Sequence, residues 1–168
     1  MSDPLYMAQV VYVANAAYRA HQDVDILGLE MRQQWQLLEK EAKIIGYDVF
    51  LPGDPHQLDI PRVVVGQMRK LTTLLYRVDP GGSPDADHRI LQRKNDEYGG
   101  SWCSRGGQGA FMMLARKWDR IEHQVWTTNQ GSLRQAMETD QRQEGILDDI
   151  GDLRRYLILC LAWHEAQT

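Results

Sequence analysis

Apolar residues recur along most of the chain with the three- and four-residue spacing that places side chains on one face of an α-helix. Alternating runs of β-branched residues bounded by hairpin turns are hard to find, so strands are not predicted. The pattern predicts helices over residues 4–21, 25–46, 60–78, 84–97, 107–126 and 143–166. We therefore expect an all-α protein.

Turn-forming residues interrupt the helical pattern at 51–55, 79–84 and 98–107, where Gly and Pro are concentrated. Pro84 suits the first residue of a helix, because its missing N–H would have no helical partner there. No internal repeat or long low-complexity tract is visible. The helices are therefore predicted to pack as one bundle over 1–168, with its core in about 84–166 and a helical extension in about 1–80.

Composition narrows the class of protein. A length of 168 residues suits a single domain. The formal net charge of -4, without a run of Lys or Arg, disfavours binding to duplex nucleic acid. No signal peptide or membrane span is recognisable, so a soluble cytoplasmic protein is expected. The two cysteines, Cys103 and Cys160, lack Cys-x-x-Cys spacing, which argues against a disulfide framework or a structural zinc site.

Acidic residues lie at the edge of two apolar helix faces. In 107–126 the apolar face consists of Phe111, Leu114, Trp118, Ile121 and Val125. Glu122 falls at the border of that face, and Asp119 lies one step further out. In the last helix Asp149 begins an apolar face and Asp152 flanks it. Because unpaired carboxylates are costly to bury, these acids require cations.

A shared metal ion is one source of that cation. The acids of each pair are three residues apart, so their side chains lie roughly 5–6 Å apart on a helix. If the two helices are neighbours, Asp119, Glu122, Asp149 and Asp152 bring four oxygen donors together, which favours Mg²⁺ or Mn²⁺ over zinc or copper. We take these four as candidate metal ligands and catalytic acids. In the alternative interpretation they form salt bridges, for example from Asp152 to Arg155.

Three segments resemble a known family. They are KNDEYGGSW (94–102), RGGQGAFMMLARKWDRIE (105–122) and DDIGDLRRYL (148–157). These are similar to the core motifs of the MazG-like and all-α dUTPase-like nucleoside triphosphate pyrophosphohydrolases, over about residues 84–166. Within that superfamily the likeness is closest to the phage MazZ type, which acts on dGTP and GTP and is associated with genomes that replace adenine by 2-aminoadenine. Asp119 departs from the Glu that usually opens the first acidic pair, and its arm is shorter.

The resemblance implies hydrolysis between the α and β phosphates, giving a nucleoside monophosphate and pyrophosphate, with Mg²⁺ or Mn²⁺ as the cofactor. It also implies a homo-oligomer, a dimer or tetramer, which the apolar content of 4–21 and 60–78 favours as well, and a host cytoplasm if the protein is viral. Carboxylate-bound metal ions can neutralise triphosphate oxygens and activate a water for attack on the α-phosphorus. Glu122 or a neighbouring acid can accept the proton of that water.

Cationic, aromatic and amide side chains provide candidate substrate contacts. The candidates for phosphate oxygens are Lys94, Arg116, Lys117, Arg120 and Arg155. Lys117 is the first choice, because it points nearest the apolar stripe on the flank opposite Glu122. Trp102, with Tyr98, offers a face for base stacking, and Asn95 offers an amide for the base edge. The glycines of 106–109 either receive phosphate on free amides or simply turn the chain.

Two alternatives remain open. A dUTP or dCTP pyrophosphatase would use the same metals with a different base pocket. An all-helical binding or assembly module would use the acids only as structural ion pairs and would show no metal-dependent chemistry. A ferritin-like di-iron centre is disfavoured, because the Asp149–Asp152 helix lacks a Glu-x-x-His pair.

Overall fold

The computed structural model describes residues 24–50 and 62–167, and within these ranges the chain is helical without strands. The α-helices are α1 Val24–Ile45, α2 Arg62–Val78, α3 Pro84–Tyr98, α4 Gly106–Glu122, α5 Leu133–Thr139 and α6 Ile146–Gln167. Short 3₁₀ turns cover Tyr47–Val49 and Ser101–Cys103. The all-α prediction is confirmed, whereas the predicted helix 4–21 lies outside the described residues. None of the described helices has the length and apolar character needed to cross a membrane.

Helix boundaries follow local capping chemistry. Ser83 caps α3, since its side chain accepts a hydrogen bond from the Ala86 amide at 3.1 Å, and Pro84 follows in the first helical position. Gly99 ends α3 with a positive φ of 62°. The predicted helix 107–126 is α-helical only to Glu122 and continues as a π-helical segment over His123–Thr128.

The pattern missed α5, which has only seven residues and so too few turns to show a clear period. Its N-terminus is held locally and from a distance. Ser132 accepts a hydrogen bond from the Gln135 amide, and Asp25 of α1 accepts one from the Arg134 amide at 3.0 Å. The last helix begins at Ile146 rather than at the predicted residue 143. The Asp140 carboxylate accepts a hydrogen bond from the Ile146 amide at 2.7 Å and so caps this helix start.

The core is built from the apolar faces of the helices, which pack against one another. Neighbouring helices pack in the order α1, α2, α6 and α4, and α3 lies against α6. Their buried side chains form one hydrophobic cluster that includes Met31, Trp35, Leu38, Met68, Leu71, Leu75, Leu114, Trp118, Ile121, Ile150, Leu153 and Leu157. Between α1 and α4 the space is filled by stacked indoles, with the ring centroids of Trp35 and Trp118 5.7 Å apart.

Gly107 allows α4 to begin directly against the 3₁₀ turn. A Cβ at this position would lie 2.2 Å from the backbone oxygen of Tyr47, so no larger residue fits without moving the backbone. Gly106 beside it has a positive φ of 67°. Close packing accounts for Gly107, and a turn of the chain accounts for Gly106. Neither glycine needs the phosphate-binding role that the sequence left open.

Candidate functional site

A cleft opens where α3, the Ser101–Cys103 turn, α4 and α6 meet. The cleft has a volume of about 90 Å³, and the empty space around it, including the open mouth, is about 540 Å³. Its lining consists of Leu91, Lys94, Asn95, Tyr98, Gly99, Ser101, Trp102, Met113, Asp152, Arg155, Tyr156 and Leu159. Lys94, Asn95, Trp102 and Arg155, which the sequence nominated as substrate contacts, thus reach the same cleft as Asp152.

Part of the cleft lining is aromatic. Tyr98 is 69% exposed, and Trp102 is half-buried on the turn that follows α3. Gly99 permits the chain to leave α3 sharply, so the last residues of the helix and the turn face the same space. An exposed amide, that of Asn95, lies beside them. The rings of Tyr98 and Trp102 offer flat apolar surfaces, and the Asn95 amide offers a hydrogen-bond donor and an acceptor.

The charged part of the lining centres on Asp152. Its Oδ1 accepts from Arg155 Nη2 at 2.8 Å and from Lys94 Nζ at 3.4 Å, while Oδ2 lies 2.8 Å from Lys117 Nζ. Burial alone would raise the pKa of Asp152, but the hydrogen bonds from Lys117 and Arg155 and the charge of Lys94 together lower it to about 2. Asp152 is therefore firmly ionised at neutral pH.

Asp149 is buried one turn earlier on α6, with its side chain only 1% exposed. Its Oδ1 lies 3.1 Å from Arg120 Nε and 4.0 Å from Lys117 Nζ, and its Oδ2 lies 3.3 Å from Arg142 Nη2. Burial raises the pKa of Asp149, and the charges of Arg120, Arg142 and Lys117 offset this only in part. The two neighbouring carboxylates thus differ in pKa although both are surrounded by cations.

Lys117 links the two acids, because its ammonium contacts Asp152 and also lies within ion-pair range of Asp149. The ammonium stands where a single cation neutralises both carboxylates. Oxygen donors of this kind suit Mg²⁺ or Mn²⁺, and Mg²⁺ commonly binds through one or two protein carboxylates together with substrate phosphates and waters. The donor type of Asp149 and Asp152 suits Mg²⁺ or Mn²⁺, and the metal ion itself stays a prediction.

Glu122 does not join this pair. It follows Arg120 by two residues, which turns it to nearly the opposite side of α4. Its Oε1 accepts from Arg32 Nη2 at 2.8 Å on α1, and its Oε2 accepts from the indole of Trp118 at 2.8 Å. The α4–α6 interface instead pairs bases of α4 with acids of α6.

Asp119 is exposed and is influenced by other acids. Burial of part of the group raises its pKa, and the charges of Glu39 and Glu122 add to the effect. Among the described residues, no group of three or more Asp, Glu, His or Cys side chains is arranged to hold a metal ion. Of the four acids predicted to converge, the structure brings Asp149 and Asp152 together through Lys117, whereas Glu122 pairs with Arg32 on α1 and Asp119 is exposed. The metal ion itself stays a prediction.

Of the remaining nominated cations, Arg116 is exposed and does not line the cleft, and Arg120 is engaged with Asp149. The sequence did not nominate Tyr156 or Ser101, which do line it. Tyr156 follows Asp152 by four residues and so shares its helix face, a signal that was available in the spacing.

A buried ion-pair network fixes Arg155 behind the cleft. Asp87 on α3 accepts from Arg155 Nη1 at 3.1 Å, from Arg154 Nη2 at 2.9 Å and from Arg154 Nε at 2.6 Å. The hydroxyl of Tyr76 donates to the same carboxylate at 2.6 Å, and Asp79 accepts from Arg154 Nη1 at 2.9 Å. Arg155 therefore bridges the buried carboxylate of Asp87 and the carboxylate of Asp152 in the cleft, and each of its two terminal nitrogens donates to one of them.

Comparison with known proteins gives no match: no family model matches the chain, and no curated protein or solved structure matches it significantly.

Proposed function

We propose that the chain is a metal-dependent nucleoside triphosphate pyrophosphohydrolase that binds its substrate in the cleft between α3, α4 and α6. One observation carries the proposal. A single cleft is lined by two aromatic rings and an amide together with Lys94, Arg155 and Asp152, and Lys117 connects Asp152 to the buried Asp149. A nucleoside triphosphate needs both kinds of group, a flat apolar surface for its base and cations for its phosphates.

Lys94 and Arg155, which line the cleft, supply cations for phosphate oxygens, and Lys117 lies beside them on Asp152. Asp149 and Asp152 would hold Mg²⁺ or Mn²⁺, which when bound would neutralise phosphate oxygens and lower the pKa of an attacking water. The water oxygen forms a bond to the α-phosphorus, the bond from that phosphorus to the bridging oxygen breaks, and pyrophosphate departs. The proton that the water loses passes to solvent, since both oxygens of Asp149 are engaged by Arg120 and Arg142.

Trp102 and Tyr98 stack on the base, and the Asn95 amide pairs with its edge. A carboxamide can pair with any base edge that presents a donor beside an acceptor, guanine included, so the amide does not select the base. The resemblance to enzymes of the MazZ type selects guanine, and dGTP and GTP are therefore the proposed substrates.

A second candidate is a nucleotide-binding module without hydrolytic activity. The complete pairing of Asp149 and Asp152 with Lys and Arg favours it, because ion pairs alone account for the burial of both acids. The two candidates share the ligand and differ in whether metal-dependent product forms.

The test is to incubate the protein with dGTP, GTP, dATP, dCTP and dUTP, each with Mg²⁺ or Mn²⁺, and to identify the products by chromatography. We expect dGTP to yield dGMP and pyrophosphate, and expect Asp152→Asn to abolish this reaction. Asp85→Asn is the matched control, since it removes an exposed acid from the first turn of α3. Binding of dGTP without product supports the second candidate, product from dUTP or dCTP alone reassigns the base, and neither binding nor product contradicts both candidates.

A further inference from the structure

Lys117 occupies a special place among the cations near the two acids. Its Nζ is 2.8 Å from Asp152 Oδ2 and 4.0 Å from Asp149 Oδ1, and its side chain is 17% exposed. The other cations of this cluster each contact only one of the two carboxylates. The Lys117 ammonium therefore sits at the point that a shared metal ion between these acids would claim.

Lys117 is also the cation that both acids can lose. Asp149 keeps Arg120 and Arg142, one on each of its oxygens. Asp152 keeps Arg155 and Lys94 on its Oδ1, and only its Oδ2 is released. Departure of the ammonium thus leaves neither carboxylate as an uncompensated buried charge. A flexible four-carbon stem lets a lysine move without moving the backbone.

We propose that the Lys117 ammonium and a divalent metal ion compete for one cation position between Asp149 and Asp152, and that the displaced ammonium then binds the triphosphate. The inference rests on the proposed function for its metal site. It makes metal binding and phosphate binding sequential, because Lys117 serves the acids in the metal-free protein and the substrate in the loaded one. Without metal the cation position is filled, so the two acids do not repel each other.

Competition of this kind can be measured without catalysis. Titration calorimetry of the nucleotide-free protein with Mn²⁺ alone gives the metal affinity of the wild type, Lys117→Met, Asp152→Asn and Lys40→Met. Lys40 is exposed on α1, so its substitution removes the same charge at a screened site. We expect Lys117→Met to bind Mn²⁺ at least about tenfold more tightly, because no ammonium then has to be displaced from Asp152 before the metal ion binds. Lys40→Met should change the affinity by less than about twofold.

A second measurement has the opposite sign. In the presence of saturating Mn²⁺, Lys117→Met should raise the KM for dGTP, because a phosphate contact is missing. A lysine with only a structural role would weaken both metal and substrate binding when removed. Thermal melting of Lys117→Met and of Lys117→Gln shows that the variants fold, and either variant can carry the test.

The outcomes separate this inference from the proposed function. Tighter Mn²⁺ binding with a raised KM supports it. If the wild type binds Mn²⁺, Asp152→Asn does not, and neither Lys117 variant binds more tightly, competition is overturned while the metal site stands. If the wild type and both Lys117 variants all fail to bind Mn²⁺, the metal site itself is wrong, and the inference falls with it.

Discussion

Asp87→Asn tests whether the buried ion-pair network holds the fold together. The carboxylate is 1% exposed and accepts four hydrogen bonds, three of them from the guanidinium groups of Arg154 and Arg155. Burial alone would raise the pKa of Asp87, but bonds from Arg154 and Tyr76 outweigh this and lower it. An asparagine preserves the shape but not the charge, and in either orientation its amide N–H faces a guanidinium donor.

Asp87→Asn should lower the free energy of unfolding by a large amount, although only one side-chain atom changes. Removing one partner of a buried ion pair costs about 3–5 kcal/mol, because the other charge stays buried. Arg154 is 1% exposed and would retain only Asp79. Against a total stability of about 5–15 kcal/mol, the variant should be markedly less stable but still folded under native conditions.

Urea unfolding followed by tryptophan fluorescence and by circular dichroism measures this loss. Asp96→Asn is the matched control, because it removes an exposed acid from the same helix and should change the free energy of unfolding by less than about 0.5 kcal/mol. The double variant Asp87→Asn with Arg154→Met should lose at least about 1 kcal/mol less than the sum of the single variants, since no guanidinium is then orphaned. A loss below about 1 kcal/mol for Asp87→Asn would refute the reasoning.

Three further predictions concern acid stability, packing and base contact. The pKa of Asp152 and that of Asp140 are about 2 in the folded protein, below the unfolded value. Each carboxylate therefore contributes roughly 2 kcal/mol to the free energy of unfolding above about pH 4, and this contribution is lost as the pH falls towards 2. A urea midpoint that stays constant from pH 5 to about pH 2 contradicts this. Gly107→Ala should destabilise the protein by about 2 kcal/mol or more, because its Cβ clashes with the backbone of Tyr47. Gly66→Ala inside α2 should stabilise it by about 0.5–1 kcal/mol, because a Cβ there meets nothing within 4 Å. Equal urea midpoints for the two variants would disprove the clash. Trp102→Ala should weaken dGTP binding by about 1–3 kcal/mol in calorimetry without lowering the melting temperature by more than a few degrees, and an unchanged affinity removes Trp102 from the base site.

The sequence by itself determined the helices and much of the cleft lining. Helical periodicity is a local property of the chain, so the repeat of Leu114, Trp118 and Ile121 was enough to predict α4 and its buried face. Lys94, Asn95 and Trp102 could be nominated because they lie within one short segment, where the end of α3 and a glycine break keep them close. The seven-residue α5 escaped, because periodicity needs more than two turns to be visible.

Between helices, only the tertiary structure decided which charge meets which, whereas the pairing of Asp152 with Arg155 within α6 was predicted from their spacing. A helical projection places Glu122 at the border of an apolar face, but it does not say which helix covers that border. Packing placed α1 there, so Glu122 pairs with Arg32, which lies 90 positions away in the chain. Asp87 and Arg154 are likewise 67 positions apart. Ion pairs between helices depend on how each helix is rotated against its neighbour, and that rotation follows from the shape of the whole core rather than from any local pattern.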